Sequence, residues 1–197
     1  MNQLPFVGPA QFKIRDPLDR CYTPDTLAAA CVVRLMSTVG VLSPGRWVEP
    51  SVGGGAFVRA LKSHEGYRRM GGRVFGIDID PDAAGLCGCD ESRVGDWAQG
   101  ASYITDVRLI CGNPPFAVAL QHVLTARKEH PDAPIGLIMP LAYLGVKKWQ
   151  PVFREHPLAE LHPIIGRPWP KRVRETAFYV WLPGRISRCS MMGGVSW

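Results

Sequence analysis

The sequence predicts an α/β protein of the Rossmann-like kind, a mostly parallel sheet with helices on both faces, and three stretches carry that reading. The apolar run Val107 to Ile110 stops abruptly at Cys111-Gly112-Asn113-Pro114-Pro115-Phe116. This reads as a buried strand ending at a rigid loop, because proline donates no ladder hydrogen bond and holds the residue before it extended. The short run Arg46-Trp47-Val48 enters Glu49-Pro50-Ser51-Val52-Gly53-Gly54-Gly55, and Ala56 to Leu61 reads as a helix behind it. Strand, glycine turn and helix together make a nucleotide-binding element: glycines admit a ligand that a Cβ would exclude, and the helix start offers unpaired amides. The third run, Arg73-Val74-Phe75-Gly76-Ile77, ends in Asp78-Ile79-Asp80-Pro81, an acid at a second strand end at the distance where ribose hydroxyls are held in such folds.

Composition bounds the answer. With 197 residues, 46% apolar and 20% charged, the chain can bury one substantial core. No apolar run approaches the roughly 18 to 20 residues that span a bilayer, and Met1-Asn2-Gln3-Leu4-Pro5 lacks a basic start followed by an apolar core. A cytoplasmic protein without a membrane partner is expected. Cys21, Cys31, Cys87, Cys89, Cys111 and Cys189 show no paired CxxC spacing, so reduced thiols and no metal are expected. The net charge of +6 fits a polyanionic partner without requiring one. Its distribution is more informative: Lys147, Lys148, Arg167, Lys171, Arg172 and Arg174 cluster in the last third, away from the acidic strand ends.

Taken in order, residues 1–20 form a Pro-rich arm, 21–184 a single catalytic domain and 185–197 a tail. Thr23 is expected to cap a helix that has Pro24 in its first position and runs through Thr26 to Met36, with Leu27, Cys31 and Leu35 at helical spacing. A third strand over Arg93 to Gly95 closes on Asp96-Trp97, and Asp80 is expected to cap the helix that starts at Pro81. Beyond the Asn-Pro-Pro loop, Ala117 to Glu129 reads as a helix, Pro134 to Met139 as a buried strand and Val146 to Arg154 as a helix. Leu158 to Ile165 and Thr176 to Leu182 suit a terminal antiparallel pair, separated by the basic loop Gly166 to Glu175.

The chemistry follows from residue types. Glu49 at the strand end would repel a pyrophosphate, and Gly53-x-Gly55 lacks the third spaced glycine of dinucleotide sites. A ligand carrying an amine suits that acid. The Asn113 side-chain oxygen and the Pro114 carbonyl offer two acceptors in fixed relation, matched to the two hydrogens of a planar NH₂ group, and Phe116 offers a face on which a planar base can stack. Asp96 can accept from an adenine amino group.

In this order, Thr23-Pro24, Glu49-Pro50-Ser51-x-Gly53-x-Gly55-x-Phe57, Gly76-Ile77-Asp78, Gly95-Asp96-Trp97 and Asn113-Pro114-Pro115-Phe116 resemble the amino-methyltransferases that modify DNA adenine at N6. The resemblance spans about residues 21–182. It implies a class I methyltransferase fold, a seven-stranded sheet with a reversed last strand, S-adenosylmethionine as cofactor and a flipped adenine in DNA as target. Residue by residue, it implies that Glu49, Ser51, Gly53, Gly55 and Phe57 belong to the cofactor's methionine end, over which Tyr22, Thr23 and Pro24 close. Asp78 would take the ribose and Asp96 the cofactor adenine, with Ile79 and Trp97 as apolar flanks. Asn113, Pro114, Pro115 and Phe116 would form the catalytic loop. Lys147, Lys148, Arg167, Lys171, Arg172 and Arg174 would meet phosphates, and Trp169 would be a second stacking face. Phe116 departs from the family's commoner Tyr, and stacking does not need the hydroxyl. No His or carboxylate is expected beside the loop, in keeping with a transfer that needs no base beforehand. RNA adenine methylation, protein glutamine N5-methylation and a catalytically silent nucleic-acid-binding module are the alternatives. With little chain outside the fold, a relaxed or very short target sequence is expected, because each good base-edge contact adds about 1 to 3 kcal/mol of discrimination and few loops can supply one.

Overall fold

The computed structural model of the protein describes residues 22–166, 168–169 and 175–184. The arm, the tail, Arg167, Lys171, Arg172 and Arg174 lie outside the described residues. Seven strands form one sheet: β1 (Gly45–Glu49), β2 (Gly72–Asp78), β3 (Glu91–Val94), β4 (Val107–Gly112), β5 (Ile135–Pro140), β6 (Glu160–Pro163) and β7 (Thr176–Trp181). Their order is β3-β2-β1-β4-β5-β7-β6. The pairs around β1, β2, β3, β4 and β5 are parallel, and β7 runs antiparallel to both β5 and β6. The expected class I methyltransferase arrangement is thus present, with the reversed strand inserted between β5 and the edge.

Why these runs become strands is visible in their burial. Both faces of the sheet are covered, so β5 and β7 are buried at every position and read as unbroken apolar runs rather than alternating ones. Side chains nevertheless alternate between two cores. Trp47, Val74, Leu109, Ile138 and Phe178 pack on one face with α1 (Asp25–Val39) and α2 (Ala56–Ser63), whereas Val48, Ile77, Ile110, Leu137 and Tyr179 pack on the other with α5 (Ala119–Glu129) and α6 (Gln150–Glu155). The shorter helices α3 (Glu65–Arg69) and α4 (Pro81–Leu86) flank β2. In α1 the buried stripe is Ala28, Cys31, Val32, Leu35 and Met36, the spacing of a helix with one covered face.

Several boundaries shift from the sequence reading for physical reasons. Pro24 is the cap residue rather than the first helical one: its carbonyl takes both Leu27 N and Ala28 N, and the Thr23 side chain makes no capping bond. β3 begins two residues earlier than expected. It is an edge strand with Ser92, Arg93 and Val94 exposed, so its pairing with Phe75 to Asp78 leaves no apolar pattern to read. β6 is shorter than its apolar run because it too pairs on one side only. The Val146 to Arg154 stretch starts as a 3₁₀ turn at Lys147–Trp149, and α6 follows with Pro151 in its first turn. Asp80 caps α4 as expected, its Oδ1 accepting from Asp82 N at 3.0 Å. Among the described residues no helix is long and apolar enough to cross a membrane.

β5 is closely packed at Gly136, against β7 beside it in the sheet and α1 on its face. A Cβ at Gly136 would meet Phe178 Cζ at 2.5 Å and Leu35 Cδ2 at 2.8 Å. Gly136→Ala should therefore destabilise the fold by roughly 1 to 3 kcal/mol through overpacking, read as a lower urea midpoint with unchanged slope.

Candidate active site

Parallel strands bring their carboxyl ends to one edge, and there the sheet collects Glu49 (β1), Asp78 (β2), Asp96 (after β3) and Asn113 (after β4). Glu49 is 1% exposed. Its carboxylate accepts the backbone N–H groups of Ser51 and Asn113, and its Oε1 is buried with no partner of its own. Burial first, and the Asp78 charge second, push its pKa well above the usual carboxylate range. Gly112 makes this approach possible, since a Cβ there would overlap Glu49 Oε1.

Asp78 organises the glycine turn. Its Oδ2 accepts from Gly53 N at 2.8 Å and its Oδ1 from Asp80 N at 2.9 Å. Gly53 and Gly55 have φ of +49° and +72°, the left-handed region that favours glycine. The Tyr22 ring lies over this turn, where a Cβ on Gly54 would come within 3.2 Å of it. Thr23 reaches across to the Asn-Pro-Pro loop and accepts from Asn113 Nδ2 at 3.0 Å. With Nδ2 donating to Thr23, Asn113 Oδ1 is the amide atom able to accept from an amine. Pro114 is buried, Pro115 exposed and Phe116 half-buried. Asp96 accepts from Ala98 N at 2.9 Å and caps a 3₁₀ turn, and Ile79 stands exposed beyond Asp78.

Three aromatic expectations are corrected. Trp97 does not offer a flank: it is 1% exposed, its indole N–H donates to the His122 carbonyl at 3.0 Å, and its ring packs near His130. Phe57 is a core residue on the inward face of α2. Trp169 is buried too, and its N–H donates to the Tyr22 carbonyl at 3.0 Å, so it tethers the segment over the glycine turn rather than presenting a stacking face. In each case an aromatic beside a functional residue filled the nearest core instead. Lys147 and Lys148 are exposed on their turn.

The expected absence of a His or carboxylate beside the loop is also corrected. Besides Glu49, the buried His122 of α5 stands there, with Nε2 3.0 Å from Ser51 Oγ and Nδ1 3.2 Å from the Val118 carbonyl. It joins the turn after β1 to the helix that follows the Asn-Pro-Pro loop. Ala119, His122, Val123 and Ala126 are all buried on α5, so a histidine in that apolar stripe was the available signal.

No family model and no curated protein matches the sequence. Solved structures do. A protein of Listeria monocytogenes assigned to the class I S-adenosylmethionine-dependent methyltransferases superposes with a TM-score of 0.70 at 12% identity, over 86% of this chain and 63% of that one. The methyltransferase subunit of a type I restriction-modification system from Streptococcus thermophilus gives 0.64 at 11% identity, over 84% and 45%. The 23S rRNA methyltransferase ErmE gives 0.59 at 16% identity, over 85% and 71%. The fold is that of the class I methyltransferases. The chain spans less than two thirds of the first two of these neighbours.

Burial holds His122 down at about 4 against its ordinary 6.5. A depressed histidine pKa means that the unfolded chain binds the extra proton first, so stability is fully present above about pH 6.5 and drains away as the pH falls through about 4. The loss assignable to His122 should reach roughly 3 kcal/mol, and His122→Gln should flatten that part of the acid slope in urea titrations across this range.

Proposed function

We propose that the protein transfers a methyl group from S-adenosylmethionine to the exocyclic N6 amine of adenine in DNA. The observation that carries the proposal is the joint between the two halves of the crevice: the Asn113 backbone N–H donates to the buried Glu49 carboxylate. The amine-binding loop and the acid of the glycine turn are thereby held against each other, as transfer between two ligands requires.

The residues fit the cofactor. A buried acid with an unpartnered oxygen is a site for the ammonium of a methionine moiety, and the left-handed glycines beside it leave room that side chains would fill. Glu49, Ser51, Gly53 and Gly55 would hold that end, with Tyr22, Thr23 and Pro24 over it. Asp78 would take the ribose and Asp96 the adenine, with Ile79 alongside. When bound, the cofactor supplies a sulfonium-activated methyl group. The chain's own work is then to place the amine and draw electron density onto its nitrogen: Asn113 Oδ1 and the Pro114 carbonyl accept the two amine hydrogens, and Phe116 replaces the lost stacking of a flipped base. Glu49 and His122 are engaged with backbone and Ser51, which suits structural roles and a proton that leaves after transfer. Lys147 and Lys148, with Arg167, Lys171, Arg172 and Arg174, are proposed to meet phosphates.

RNA is the second reading, because one similar fold belongs to an rRNA methyltransferase and a pocket for a flipped or single-stranded adenine serves either polymer. Mass spectrometry of DNA and RNA nucleosides after incubation with labelled cofactor tests both. N6-methyldeoxyadenosine is the expected product, and a label found only on RNA or on protein overturns the DNA assignment.

Asn113→Ala removes the amide acceptor but keeps the backbone N–H that Glu49 holds. Methyl transfer should be lost while calorimetric affinity for the cofactor stays near wild type. Asp78→Ala should do the reverse, weakening the cofactor by roughly 1 to 3 kcal/mol as the Gly53 and Asp80 tethers and the ribose bonds go.

Glu49 gives a pH prediction. Its raised pKa keeps the ligand-free carboxyl protonated well above the usual range, whereas an ammonium beside it favours the carboxylate. Cofactor binding should release a proton and tighten as pH rises until that pKa is passed. Calorimetry in buffers of different ionisation enthalpy reads the release, and Glu49→Gln should abolish it.

A further inference from the structure

We infer that Tyr143 is the positioning residue of the catalytic loop, its hydroxyl fixing the Phe116 carbonyl and with it the ring that stacks on the target base. This rests on the adenine-methylation reading above. Tyr143 lies in the 3₁₀ turn Leu141–Gly145 directly after β5, and its hydroxyl donates to the Phe116 carbonyl at 2.6 Å. The bond adds a side-chain tie from the turn after β5 to a carbonyl that also accepts Ala119 N–H at the end of its own 3₁₀ turn, in a loop whose Pro114 and Pro115 donate no backbone hydrogen bonds.

The hydroxyl is itself rigidly held. The Tyr143 ring stacks on Trp149 with centroids 4.9 Å apart and planes 22° apart. Trp149 is fully buried and stacks in turn on Phe153 at 5.6 Å, which packs against Tyr179. The backbone of the turn is pinned from both sides, by the Tyr179 hydroxyl donating to the Pro140 carbonyl at 2.9 Å and by Gln150 Nε2 donating to the Leu144 carbonyl at 3.0 Å. A stacked aromatic column rooted in the core thus ends in one hydroxyl aimed at the peptide of the stacking residue. Tyr67 makes the same kind of bond away from this loop, its hydroxyl donating to Asp90 Oδ2 at 2.6 Å just ahead of β3.

Tyr143→Phe keeps the ring stack and removes the tie, and Tyr67→Phe is the matched control. With labelled S-adenosylmethionine and poly(dA), and poly(rA) in parallel, Tyr143→Phe should lower kcat roughly three- to tenfold while calorimetric cofactor affinity stays within about twofold. Tyr67→Phe should keep kcat within about twofold even where it lowers the melting temperature as far. A wild-type kcat in Tyr143→Phe overturns the inference and leaves the adenine reading standing. So does a loss of kcat in both variants that simply follows their melting temperatures. A wild-type protein that methylates neither polymer overturns the adenine reading and this inference with it.

Discussion

A carboxyl group taken out of water at the end of β1 constrains everything around it. Glu49 is buried beside the Asp78 charge, a position that only paired hydrogen bonds or a cation make tolerable. Two of its bonds come from backbone amides, one on its own turn and one on the loop after β4, so the carboxylate fixes how those strand ends lie relative to each other. The demand propagates: Gly112 must lack a side chain for the approach to occur, and the neighbouring strands must be parallel for their ends to meet.

Around that centre the crevice is built by residues that tie loops together. Asp78 holds the glycine turn by Gly53 N, Thr23 holds the Asn113 amide, and Trp169 holds the Tyr22 carbonyl. On the opposite face His122 bonds Ser51 and, through its carbonyl, Trp97. Each tie joins segments far apart in sequence, so the loops at the strand ends are held relative to one another by the assembled fold and not by their own local structure.

The same rule explains the aromatic residues. Trp97, Trp169 and Phe57 stand beside chemically informative neighbours, yet the structure uses them as core. A ring of that size gains more from burial than from lining an open crevice, and it turns inward wherever a packed layer is within reach. Phe116, held at a proline-bounded turn beyond the sheet, is half-buried instead.

Sequence alone determined the fold class, the order of its strands and longer helices, and the acids at the strand ends, because these depend on local quantities: runs of apolar residues, glycine and proline conformations, and the placement of turns. It also identified Asn113 to Phe116 as a unit. Only the tertiary structure decided where edge strands begin, since β3 and β6 pair on one side and carry weak patterns. It alone decided that Thr23 turns from capping a helix to bonding Asn113, that His122 is buried beside Ser51, and that Trp97 faces inward. The physical reason is the same in each case: a side chain's choice between a local partner and a distant one is settled by burial and by which backbone groups the assembled layers leave to be satisfied.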